Sequence, residues 1–72
     1  MTKFTYDIKE SFGSIGESGA YSTQLNLISF NNKEPKYDIR KWDIENDKML
    51  KGISLTKEEL VALRDLLNTL EL

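Results

Sequence analysis

The chain has 72 residues, 39% apolar and 31% charged, with a formal net charge of −2. One small domain of this length hides only about 60% of the surface its unfolded form exposes, so a lone monomer is expected to be marginally stable. There is no cysteine and no histidine, which excludes a disulfide framework, a Cys/His zinc site and a Ser or Cys nucleophile activated by histidine.

Residues Met1 to Asp7 lack the apolar core of a signal peptide, and no apolar run is long enough to span a bilayer. A cytoplasmic protein without a membrane partner, compatible with association with the nucleoid, is the expectation. Phe4, Tyr6 and Ile8 alternate with Thr5, Asp7 and Lys9, and Phe12 keeps their parity. This is the period-two pattern of a long strand, about residues 3–15, with one buried face. Gly13, Gly16 and Gly19 then read as a flexible bend. A second strand, about residues 20–31, puts Tyr21, Thr23, Leu25 and Leu27 on one face and Ile28 and Phe30 on the other. Either a bulge shifts the register there, or the second face meets another apolar or aromatic group, such as a partner subunit or nucleobases.

Asn31 to Glu34 with Pro35 reads as a hairpin loop. The third strand, about residues 35–43, sorts Tyr37, Ile39 and Lys41 to one face and Lys36, Asp38, Arg40 and Trp42 to the other. With Ile39 facing the core, Lys36, Arg40 and Trp42 form a row on the outer face, repeating every 6–7 Å or so. That repeat is close to the reach between successive bases of an extended single strand. Ile44 to Lys48 forms the connection to a fourth strand, about residues 49–55, with Ile53 and Leu55 inward and Gly52 permitting close backbone approach. Thr56-Lys57-Glu58-Glu59 is a capping box, with Leu55 and Leu60 as its hydrophobic staple. The helix it opens, about residues 57–70, carries Leu60, Leu63, Leu66, Leu67 and Leu70 on one face. A helix this short is marginal alone in water, so the leucine stripe must pack on the sheet or on a second copy of itself.

Charge is unevenly spread. Residues 33–51 are the only positive block, with Lys33, Lys36, Arg40, Lys41, Lys48 and Lys51 against five carboxylates, while the segments on either side are net negative. Cations alternating with an aromatic on a pleated surface is the chemistry of single-stranded nucleic-acid binding. The bland reading of the same residues is that Trp42 and Phe30 fill a core, the lysines are solvated, and Arg40 pairs with Asp38 or Asp43.

The run Tyr37-Asp38-Ile39-Arg40-Lys41-Trp42, then Met49, then Lys51-Gly52-Ile53-Ser54-Leu55-Thr56 before a leucine-bearing helix, resembles the C-terminal domain of the transcriptional coactivator positive cofactor four. The whole chain is similar to the bacterial YdbC-like branch of that family. The resemblance implies an α+β fold, ββββα: a curved four-stranded antiparallel sheet followed by one C-terminal amphipathic helix. It also implies a two-fold homodimer with the helices in the interface, for which Leu63, Leu66, Leu67 and Leu70 are the candidates, and sequence-tolerant binding of single-stranded DNA along the sheet. Phe30 falls where the family has a base-stacking Phe, and Trp42 is similar to the aromatic pair that closes the Asp-Ile-Arg motif. Arg40 and Lys51 match backbone-neutralising cations. Lys48 stands in for a cation of the family's longer loop, and Lys33 and Lys36 sit in the preceding hairpin. The Ser- and Lys-rich arm of the eukaryotic coactivators is absent from these residues, and their coactivator role is not carried over.

Three function classes follow. The leading one is a binder of single-stranded DNA, or of RNA, serving transcription, replication or repair; stacking and phosphate contacts read neither the sugar nor, strongly, the base. The second is a small dimeric adaptor that offers the same face to a protein and has no nucleic-acid affinity. The third, an enzyme, is disfavoured: Asp43, Glu45 and Asp47 have no base, metal ligand or phosphate-cradling loop beside them. No cofactor, metal or small-molecule substrate is expected.

Overall fold

The computed structural model describes residues 4–72. Met1, Thr2 and Lys3, the last of which opens the expected first strand, lie outside the described residues. Strands β1 (Tyr6–Ser18), β2 (Tyr21–Phe30), β3 (Lys36–Asp43) and β4 (Lys48–Leu55) form one open antiparallel sheet in the order β1-β2-β3-β4, followed by helix α1 (Lys57–Leu67). This is the ββββα arrangement expected. Local chemistry explains the turns. Gly19 takes φ 59° in the two-residue loop between β1 and β2, a conformation open to glycine at little cost. Asn31 and Asn32 both have positive φ, 52° and 61°, in the turn closed by the Lys33 amide donating to the Phe30 carbonyl at 2.9 Å.

β1 departs from its expected form. It runs to Ser18, and Gly13 and Gly16 lie within it, so the flexible bend shrinks to the Gly19 turn. Its register against β2 shifts three times, between Ile8 and Glu10, Ser11 and Gly13, and Ser14 and Gly16. The shifts break the parity argument: Tyr6 and Ile8 stand opposite Phe30 and Ile28, whereas Phe12 is moved to the other face, where it stacks on Tyr37 with ring centroids 5.9 Å apart. As an edge strand paired on one side only, β1 is exposed throughout, and the buried face expected of it is absent.

β2 and β3 pair without interruption from Tyr21↔Asp43 to Ile28↔Lys36. The opposite parity of Ile28 and Phe30 therefore marks a second covered face and not a slip. That face curls inward. Trp42 pairs with Ser22, and Tyr6 with Phe30, at the opposite end of β2. In a flat sheet the eight steps from Ser22 to Phe30 would span about 27 Å. Yet the Tyr6 and Trp42 rings are 5.9 Å apart, and the Arg40 guanidinium lies 5.4 Å from the Phe30 ring centre. Bulges strengthen local twist, and β1 contributes three while β4 contributes another beside Trp42.

Burial is concentrated on this inner face, where Ile28 and Trp42 are the buried apolar residues together with Asn26, Asp38 and Ser22. The expectation that the Arg40–Trp42 row lies on an outer face is thus reversed. The row shares one face, but it is the more enclosed of the two. α1 covers β3 and β4 on the opposite, outer face, and no residue of the helix is fully buried. Between helix and sheet lies an apolar hollow of about 500 Å³ lined by Ile15, Leu25, Ile39, Leu60, Leu63 and Leu67. Ile53, expected inward, is 56% exposed on this side.

The helix begins as its capping box dictates. The Glu59 amide donates to Thr56 Oγ1 at 3.1 Å and the Thr56 amide donates to Glu59 Oε1 at 2.8 Å. A Thr cap of this kind is worth about 1 kcal/mol. The helix stops at Leu67, earlier than the leucine periodicity suggests, with Asn68 as its cap, so Leu70 lies beyond it and is exposed. No helix among the described residues is long and apolar enough to cross a membrane.

Candidate nucleic-acid interface

On the inner face, β3 presents Asp38, Arg40 and Trp42 in sequence. Asp38 is fully enclosed. It accepts from Arg40 Nε on Oδ1 at 2.6 Å and from Arg40 Nη2 on Oδ2 at 2.7 Å, while Ser54 Oγ, from β4, donates to Oδ2 at 3.1 Å. Arg40 Nη1 donates to the Leu50 carbonyl at 3.0 Å. The fork is thereby fixed in position, with its central carbon over the Phe30 ring at 5.4 Å from the ring centre, a cation–π arrangement. Gly52 makes this possible: a Cβ there would sit 2.0 Å from Arg40 Cβ and 2.5 Å from the Ile39 carbonyl oxygen.

Aromatic rings continue the arrangement. Phe30 packs on Phe4 at 6.0 Å, Phe4 on Tyr6 at 6.4 Å, and Tyr6 on Trp42 at 5.9 Å, all tilted. Arg40 joins this row at Phe30, and on the same face Asn26, Ile28 and Asp38 have no exposure to solvent. Trp42, expected to offer an exposed ring, is only 7% exposed because Tyr6 covers it. A polar ladder runs alongside: Asn26 Nδ2 donates to Gln24 Oε1, Gln24 Nε2 to Ser22 Oγ, and Ser22 Oγ to Ser14 Oγ. Asn26 Oδ1 and Trp42 Nε1 are buried with no hydrogen-bond partner.

The predicted cations divide. Lys36 shares the inner-face parity of Arg40 at the start of β3, and Lys33 sits in the adjoining turn. Lys48 pairs with Asp43, and Lys51 lies in the β4 bulge beside Lys41, so both sit at the far edge of the sheet and away from Phe30. All four are exposed, and none makes an ion pair within 4.0 Å among the described residues. Next to Lys48, the Asn46 side chain and amide donate to the Asp43 carboxylate and hold it below the usual carboxylate range.

The sequence pattern therefore brings Phe30, Lys36 and Arg40 to one surface with Trp42 under it, and leaves Lys48 and Lys51 on a second edge. It missed Phe4 and Tyr6, whose period-two spacing was the available signal and which it assigned to a buried strand face. Among the described residues no three acidic, His or Cys side chains converge as a metal site would require.

Residues 22–66 match the family model described as Transcriptional Coactivator p15 (PC4). Over 70 residues the chain is 46% identical to an uncharacterised protein of Treponema pallidum (strain Nichols), an alignment covering 96% of this chain and 82% of that protein.

Proposed function

The chain belongs to the transcriptional coactivator p15 (PC4) family, and from that premise we propose that it binds single-stranded DNA, with little sequence preference, along the inner face of the sheet and its rims. The family is one of single-stranded DNA binding and transcriptional coactivation and not a family of enzymes. The observation that carries the reading is the Phe30 ring, half-buried with the Arg40 guanidinium over it, and the exposed Lys33 and Lys36 at the same end of the sheet. A ring held in this way stacks on a base with little loss of freedom, and the lysines neutralise the adjoining phosphates. Arg40 spends three donors inside the protein, so its part is to position Phe30 as much as to meet phosphate. Lys48 and Lys51 serve a strand that continues over the β4 edge.

The same proposal includes a homodimer formed through the outer face. The apolar hollow, the exposed Ile15 and Ile53, and Leu66, Leu67 and Leu70 leave much apolar surface in water, while among the described residues only two apolar side chains are buried. A second copy covering them supplies the missing core.

Fluorescence anisotropy of a labelled oligothymidylate, compared with a duplex of equal length at two salt concentrations, tests the reading. The single strand is expected to bind more tightly, with a log–log salt slope of about −0.7 for each phosphate neutralised. Lys36→Ala flattens that slope, while Phe30→Ala weakens binding by about 1–3 kcal/mol. Absence of salt-dependent binding to the single strand overturns it. Sedimentation equilibrium tests the dimer, with Leu66→Glu expected to favour the monomer.

A further inference from the structure

We infer that Phe4, just before β1, and Tyr6, its first residue, are base-stacking residues, and that Trp42 is the buttress beneath them and not itself a stacking platform. The inference rests on the single-strand reading above and deepens it by naming where the bases go. Both residues lie outside the span 22–66 that matches the family model.

Exposure and geometry decide between the rings. Trp42 is buried, whereas Phe4 is 59% and Tyr6 39% exposed. Together with Phe30 they make a file of three accessible rings, with neighbouring centroids 6.0 Å and 6.4 Å apart. A base inserted between two rings needs contact distances of about 3.5 Å on each side, or roughly 7 Å in all, so a base does not fit between these rings without parting them. The rings instead offer their outward faces, and an extended strand with unstacked bases can follow them one after another. The Thr5 amide donates to Asn31 Oδ1 at 2.9 Å and the Asn31 amide donates to the Thr5 carbonyl at 2.8 Å, which ties the segment carrying Phe4 and Tyr6 to the turn that carries Lys33. The segment that carries the rings and the turn that carries the cation are thus held together, so base and phosphate contacts fall to neighbouring parts of the chain.

The test compares the wild type with Phe4→Leu, Tyr6→Leu, Tyr6→Phe and Trp42→Phe in the oligothymidylate titration. Leucine keeps apolar cover while removing the stacking face. Phe4→Leu and Tyr6→Leu are each expected to weaken binding about fivefold or more, whereas Tyr6→Phe and Trp42→Phe stay within about twofold. In the wild-type complex Trp42 emission should remain shielded from acrylamide, as in the free protein. If wild type binds but both leucine variants bind equally well, the inference fails and the single-strand reading stands. Tighter binding by Tyr6→Leu overturns it too, because Tyr6 would then be a cover over Trp42. If wild type does not bind, the underlying reading has failed. Phe4 is largely exposed, so Phe4→Leu reads out binding even if Tyr6→Leu proves unstable, and Trp42 emission in the variants that keep it reports whether the inner face remains closed.

Discussion

Asp38 and Arg40, two residues apart on one strand, form a bidentate ion pair in which the carboxylate has no solvent exposure and the guanidinium side chain only 14%. Successive inner-face positions on a strand hold their side chains about 6–7 Å apart, which gives the long Arg side chain room to fold back onto its neighbour. The pair is thus local in sequence but enclosed by contacts made from distant parts of the chain.

Removing one member leaves the other charge enclosed without its partner. Asp38→Ala is therefore expected to destabilise the fold by about 3–5 kcal/mol, whereas replacing both residues by apolar ones of similar volume costs much less. Urea denaturation of the two variants checks this. Equal losses in the single and double variants would contradict it.

Gly52 is constrained by the same pair from the other side. An alanine methyl would collide with backbone as well as with Arg40 Cβ, so β3 and β4 must separate. Gly52→Ala is expected to cost at least about 1–3 kcal/mol and to loosen the Arg40 contact with Leu50. Thermal unfolding, and amide exchange at Gly52 and Arg40, provide the measurement.

Asp43 gives a pH signature. Hydrogen bonds from Asn46, aided by Lys48, lower its pKa. A carboxylate with a depressed folded-state pKa contributes stability that is fully present above its unfolded pKa and is lost as pH falls through the folded value. Asn46→Ala should bring the Asp43 titration, followed by NMR, up toward the usual range. An unchanged midpoint would show that Asn46 is not the cause.

Much of this architecture was legible in local chemistry. Thr56 and Glu59 mark the helix start because a capping box acts within four residues, and the split of β3 into Tyr37/Ile39 and Asp38/Arg40/Trp42 follows from the pleat. What was not legible depends on curvature. Trp42 is buried by Tyr6, a residue 36 positions earlier that reaches it only because the sheet curls. Phe12 sits opposite its expected face because bulges in an exposed strand leave no hydrophobic pattern by which to detect them. The end of the helix was overrun because the leucine spacing persists past Asn68, where the backbone has already turned.

The bulges of β1 make that strand change sides. Its first residues belong to the surface that carries Arg40 and Phe30, and after the register shifts Phe12 and Ile15 belong to the surface that carries the helix. The apolar side chains of one continuous segment thus serve two separate surfaces, changing sides near Glu10, while Ser14 remains in the inner polar ladder. Substitutions at Tyr6 and Ile8 bear on what the inner face holds, and substitutions at Phe12 and Ile15 bear on what the outer face meets. The two properties can therefore vary independently along thirteen consecutive residues.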